Sequence, residues 1–484
     1  MSSSYIVSID QSTSASKVYL LDEHGNIVAR HSESHKQYYP QSGYVEHDAD
    51  EIWRNVLTGI HAVASNVENI QGIAISNQRE TVVFWDPKTG KPVCPAIVWQ
   101  DVRGEYICDE LSAYKDQVKE STGLALSAYF PAAKIAAKFR EDPSLLKRAQ
   151  LNELCVGTVD SYLIYRLTNG KTFACDVSNA SRTQLMYLKD LTFSENICKL
   201  FNIPINCLPE IKCSDDTFGW ADTDGLPSVP ITGVMGDSHA SFFAQNCRDK
   251  GMVKATFGTG SSVMMNIGNS PLISKNGLST SVGYAFKGDL CYVLEGNITS
   301  SGDTLKWLID EAKLINSLDE IDEICSKTKD SEGVYLVPAF SGLGAPYHKP
   351  LARAIICGLN RSSTKSHIVR AALESIAYQD VDVLEAMEQD TGIAIKELCV
   401  DGGPTSNKEL MQFFANISAC KIQCTTQSEL SALGAGIMAG MALGIYKEHD
   451  YIKKGACFIP KKQAKWRKDK LLGWKTAVKR STIK

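Results

Sequence analysis

The residues of this chain able to do chemistry sit in short polar segments, each at the end of an apolar run. Asp10-Gln11-Ser12-Thr13-Ser14 sets a carboxylate, hydroxyls and successive backbone amides together, all hard oxygen or N–H groups suited to magnesium and phosphate. Phe257-Gly258-Thr259-Gly260 offers a second such loop, where glycines permit close backbone approach and Thr259 adds a hydroxyl. A third, Asp401 to Asn407, follows the strand-like Leu398 to Val400. Its glycines could lie under a flat base or ribose with Asn407 as a hydrogen-bonding tip, and an ordinary strand-to-helix turn explains it equally well. Asn77-Gln78-Arg79-Glu80 ends another apolar run. A surface ion pair is the plain account. The alternative is that Arg79 and Glu80 fork hydrogen bonds onto vicinal hydroxyls while Trp99 covers a carbon skeleton, the mixture a polyol requires. In Gly236-Asp237-Ser238-His239, Asp237 occupies the turn and could accept a hydroxyl proton; His239 is a rival base but reads better as a cap or packing residue.

These segments need elements to hold them. Tyr5 to Ala29 reads as a β-meander with its polar loop at Asp10 to Ser16, and Gly251 to Ile267 repeats the pattern about 245 residues later, which predicts a duplicated architecture. Helical spacing follows each opening, over Asp50 to Ala64 and His367 to Met387. Strands alternating with helices predict α/β domains whose loops line a cleft. The boundary is placed at Gln245 to Lys250, giving domains 1–246 and 247–484. Ala432 to Tyr446, rich in glycine and alanine, is too short to span a membrane and reads as a tightly packed buried helix. The basic tail Lys461 to Lys484 carries Trp466, Leu471, Leu472 and Trp474; a terminal helix with one buried face accounts for it better than membrane or nucleic-acid contact.

Composition narrows the function class. With 484 residues, 44% hydrophobic and 22% charged, the chain is globular and its core must stabilise it. A formal charge of -4 supplies no strong field for nucleic acid or anionic membrane, so a small-molecule substrate fits better. The fifteen cysteines include no Cys-x-x-Cys pair, and Met1 leads directly into a strand-like run, which predicts free thiols in a reducing cytoplasm.

In this order the segments resemble the FGGY carbohydrate kinases, and within them the glycerol kinase branch, from Tyr5 to about Tyr446. The resemblance also rests on Tyr44 to Asp48, Asn77 to Thr81, Ala96 to Gln100, Gly157 to Asp160, Asn179 to Thr183, Val337 to Tyr347 and Glu374 to Gln379, with the second family signature from Ala354 to Glu374. It implies two ribonuclease-H-like domains of the actin, hexokinase and Hsp70 type flanking a catalytic cleft, and ATP with Mg2+ phosphorylating a primary hydroxyl. Carried onto matching positions, Asp10 would organise the metal and Asp237 would be the base. Thr13, Ser14, Thr259, Gly302, Gly403 and Asn407 would meet nucleotide; Arg79, Glu80, Trp99, Tyr129, Asp237 and Ser238 would surround the polyol.

The chain departs from the glycerol-kinase pattern where Ser238 replaces a usual glutamine and Ser262 a usual aromatic, and also at Ser12, Lys17, Lys306 and Ala137. The first two shrink the far wall of the polyol pocket. Glycerol is therefore the default substrate, with a longer polyol or ketose (erythritol, xylitol, ribitol, ribulose or xylulose) as competitor. A non-enzymatic ATP-driven switch would not need Arg79, Glu80, Trp99 and Asp237 together. Resemblance further implies a homo-oligomer, dimer or tetramer.

Overall fold

The structure is a computed structural model that describes residues 4–223, 226–328, 330–447 and 451–483; the expectations touching Met1 and Lys484 lie outside them. Two sheets organise the chain. The first contains β1 (Tyr5–Gln11), β2 (Ala15–Leu21), β3 (Ile27–Ser34), β4 (Ile70–Asn77) and β5 (Ile231–Gly236), in the order β5-β4-β1-β2-β3. β1 is antiparallel to β2 and parallel to β4, and β5 is parallel to β4. β1 and β4 are buried on both faces, and their near-continuous apolar runs match that position, whereas β3 alternates at the exposed edge. Helix α1 (Ala49–Ala64) is capped by Asp48, whose side chain accepts from the Asp50 amide, and it buries Ile52, Trp53, Val56 and Ile60.

The second sheet contains β6 (Val253–Phe257), β7 (Ser261–Gly268), β8 (Ser279–Phe286), β9 (Asp289–Ile298), β10 (Glu397–Gly402), β11 (Lys421–Thr425) and β12 (Lys454–Phe458), in the order β8-β9-β7-β6-β10-β11-β12. Its run β11-β10-β6-β7-β9 repeats the strand order and directions of β5-β4-β1-β2-β3. The predicted duplication is therefore real, and the two-domain arrangement is the ribonuclease-H-like fold.

Further helices include α2 (Pro131–Glu141), α3 (Asp237–Ala244), α4 (Gly302–Asp310), α5 (Lys365–Thr391), α6 (Lys408–Ser418), α7 (Leu430–Ala442) and α8 (Ala464–Ser481). Helix α5 begins two residues before the predicted start because Thr364 and His367 form a reciprocal cap, and it ends at left-handed Gly392. Helix α7 lies in sequence between β11 and β12 of the second sheet yet packs against α3, β1, β4 and β5. A Cβ on Gly434 would lie 1.9 Å from the Ala240 carbonyl, so only glycine permits that approach. The resulting core joins Ile6, Tyr19 and Met235 to Met264, Val293 and Leu433. In α8, Trp474, Ala477 and Val478 form the buried face predicted for the tail. Among the described residues no helix is long and apolar enough to cross a membrane.

A strand boundary also differs from expectation. The polar loop predicted over Asp10 to Ser16 is only Ser12 to Ser14, because Asp10 and Gln11 still pair with Lys17 and Ser16 across the ladder. The Ser12 amide closes the turn on the Ala15 carbonyl at 2.9 Å.

Candidate active site

Strand ends β1, β4 and β5 bring Asp10, Arg79 and Asp237 together. The Asp10 carboxylate is 6% exposed and accepts from the Ser76 hydroxyl at 3.1 Å. Burial pushes its pKa up to about 6; Lys17 opposes that shift and Asp237 reinforces it. Gln78 locks the neighbouring segment to this turn: its amide nitrogen donates to the Gln11 carbonyl at 2.7 Å and its side chain to Gln11 Oε1 at 3.0 Å. Thr13 and half-buried Trp99 meet through a hydrogen bond from Trp99 Nε1 to Thr13 Oγ1 of 2.9 Å, while Ser14 is exposed.

Arg79 and Glu80 are not a surface pair, and each makes its hydrogen bonds to a different partner. Both are buried. Arg79 forks its two terminal nitrogens onto Glu295 of β9 at 3.0 and 2.8 Å, and its Nε lies 3.4 Å from Asp237 Oδ1. Glu80 instead accepts from Arg182 Nε at 2.6 Å, and Arg182 Nη1 reaches Glu295 at 2.8 Å. Two arginines and two glutamates thus close a buried, charge-balanced cluster across both sheets. Burial opposes ionisation of Glu295, but Arg182 and Arg79 hold its carboxyl far below the usual range. Glu80 adopts φ +60°, an uncommon conformation for a residue with a Cβ; Arg182 holds its carboxylate in place.

Trp99 and Tyr129 form the aromatic side of this space, edge to face with ring centroids 5.8 Å apart. Asp237 opens α3 with its side chain 35% exposed, and its Oδ1 accepts from the Ser238 amide at 2.6 Å. Half-buried Ser238 presents its carbonyl to Lys254 Nζ at 3.5 Å. Opposite, Ser262 Oγ donates to Glu295 Oε1 at 3.0 Å. His239 is fully buried, and burial and Arg79 depress its basicity well below the usual imidazole range, which fits a packing residue rather than a base.

The second half contributes backbone more than side chains. Thr259 is exposed in the Gly258–Gly260 turn, and its carbonyl accepts from the Ser301 amide at 2.8 Å while Gly302 N donates to the Gly258 carbonyl at 3.0 Å. A Cβ on Gly302 would come within 2.5 Å of that carbonyl. Gly402, at φ +100°, has no room for a side chain, whereas Gly403 faces open space. Asn407, expected as a hydrogen-bonding tip, caps α6 through Oδ1, which accepts from the Leu410 amide at 2.8 Å, and its Nδ2 donates to Asp322.

The donor set suits magnesium. Asp10 and Asp237 are carboxylates near enough for their charges to repel. Among the described residues no cluster of three or more His, Cys, Asp or Glu is arranged to cage an ion. Magnesium characteristically takes one or two carboxylates and fills its remaining positions with water and phosphate.

Sequence reasoning missed Glu295 and Lys254, and it named Arg182 only inside a motif. Glu295 and Lys254 are charged residues embedded in apolar strand runs; that placement is the signal that could have exposed them.

The N-terminal domain of the FGGY family of carbohydrate kinases matches residues 5–244, and its C-terminal domain matches residues 253–443. The glycerol kinase of Petrotoga mobilis (strain DSM 10674 / SJ95) is 44% identical over 489 residues, covering 99% of this chain and 98% of that protein. The crystal structure of Plasmodium falciparum glycerol kinase with ADP superposes with a TM-score of 0.94 at 37% identity, covering 100% of this chain and 99% of that one. The xylulose kinase of Lactobacillus acidophilus shares the fold, with a TM-score of 0.90 at 20% identity over 99% of this chain and 98% of that one.

Proposed function

The chain belongs to the FGGY family of carbohydrate kinases, and from that premise we propose that it transfers the γ-phosphoryl group of ATP to a primary hydroxyl of a small polyol, converting glycerol to glycerol 3-phosphate. The observation that carries this reading is the meeting of Arg79, Asp237 and Asp10 at three adjacent strand ends, in a chain 44% identical to a glycerol kinase.

In this reading Arg79, Glu80, Trp99, Tyr129 and Ser238 hold the polyol. Their charged members are already fixed by Glu295 and Arg182, so little reorganisation accompanies binding. Asp237 accepts the proton of the attacking hydroxyl. Thr13, Ser14, Thr259, Gly302, Gly403 and Asn407 receive the nucleotide, with backbone amides of the two turns facing phosphate. Asp10 would hold magnesium, which would supply positive charge to the phosphates. The polyol and base belong to residues 1–246 and the greater part of the nucleotide site to residues 247–484. We extend the proposal to a cytoplasmic homo-oligomer without nucleic-acid or membrane partners.

A longer polyol or ketose is the second reading, favoured by the short side chains of Ser238 and Ser262 beside Glu295 and Asp237. Turnover measured on glycerol, erythritol, xylitol, ribitol, dihydroxyacetone, ribulose and xylulose tests both. Fastest turnover on glycerol is expected; activity on a longer compound with none on glycerol overturns the first reading. ADP release independent of any polyol would instead indicate a nucleotide-driven switch.

A further inference from the structure

Lys134, in the first turns of α2, is fully buried without an ion pair among the described residues. Its ammonium donates to the Tyr129 carbonyl, and Nζ lies 5.8 Å from the centroid of the same Tyr129 ring. An ammonium held this way is costly, and an apolar residue of similar volume usually fills such a place more favourably. The groups around it are Glu80 after β4, Asp101 and Arg103 after Trp99, and Cys108 in the helix Glu105–Glu110. Gly104 brings that helix close, since its Cβ would stand 2.8 Å from Ala133. From Tyr129 the contacts continue to the Trp99 ring, and from Trp99 Nε1 to Thr13 Oγ1.

We propose that Lys134 is the positioning residue of the aromatic wall: anchored on Tyr129, it fixes the Trp99 ring against the polyol and, through the Trp99–Thr13 hydrogen bond, ties that wall to the turn facing phosphate. The inference rests on the reading of Tyr129 and Trp99 as polyol contacts. Burial lowers the pKa of Lys134 to about 7 while Glu80 and Asp101 resist the change, so the ammonium loses its charge as pH rises through that value. Neutral Lys134 still donates a hydrogen bond but no longer attracts the Tyr129 ring electrostatically.

The test uses the full chain and whichever polyol the unaltered chain phosphorylates fastest, so the functional reading is judged first and on that chain alone. Lys134→Met is expected to raise the polyol KM about tenfold at pH 6.5 while kcat stays within about threefold. The unaltered chain's polyol KM is expected to climb between pH 6 and pH 8, and that of the variant to stay flat. ADP binding by calorimetry verifies that the variant is folded. Trp99→Phe should cost less in the Lys134→Met background than in the unaltered chain. An unchanged polyol KM, a loss confined to kcat, or independent multiplication of the two substitutions overturns the proposal. If Lys134→Met does not fold, Lys134→Gln takes its place in the same cycle and is judged by the same outcomes.

Discussion

The two halves share one five-strand order but use it differently. In the first, the strand ends carry charge: Asp10, Arg79 and Asp237, with Glu80 and Arg182 beside them. In the second, corresponding loops carry Gly258, Gly260, Gly402 and Gly403, and the strands send Glu295 and Lys254 across to steady the first half. A repeated scaffold can thus divide its labour. In the proposed reading one copy holds side chains for proton transfer and recognition, while the other brings its backbone close to a ligand and neutralises its neighbour.

The sharpest way to break that contrast is Asp237→Asn. We expect kcat to fall about 10²–10⁴-fold with ADP affinity preserved, read by steady-state kinetics and calorimetry. Unchanged turnover would remove the base from the first half. Next, Glu295→Ala leaves Arg79 and Arg182 buried without their shared partner; a loss of about 3–5 kcal/mol in denaturant unfolding is expected, with a raised polyol KM. A loss under about 1 kcal/mol would mean that the second half does not steady the first.

Asp10 sharpens the contrast through pH. Its folded pKa of about 6 exceeds the ordinary value of 3.8, so between those values the folded state binds more protons and stability falls as pH rises. Without magnesium, Asp10→Asn should be about 2–3 kcal/mol more stable than the parent at pH 7.5 and nearly equal to it at pH 3.5, while turnover is lost. Equal unfolding midpoints at both pH values would contradict this. The smallest effect concerns the glycine side. Gly403→Ala meets no atom within 4 Å, so folding should be unaffected, and a severalfold rise in the ATP KM is expected if nucleotide lies over it. An unchanged ATP KM would take Gly403 out of the cradle.

The loops were legible because their pattern is local: a carboxylate beside hydroxyls, or glycines in succession, stands out among neighbouring residues. The duplication was legible for the same reason, as two meanders with similar patterning. The charged cluster was not. Arg79 meets Glu295 across 216 positions, and adjacency in sequence suggested Glu80 as its companion instead. Asn407 shows a different limit, since one side chain can suit both a ligand and a helix cap, and the structure assigns its oxygen to the cap.

The placement of α7 bears on synthesis of the chain. Residues that cover β1, β4, β5 and α3 emerge nearly two hundred positions after Ala244. At ribosomal rates of about 5–20 residues per second, the first sheet spends roughly 10–40 s with Ile6, Met235 and Phe243 lacking their cover. A fragment ending at Ala244 would retain that exposed apolar surface permanently, and its solubility would suffer accordingly.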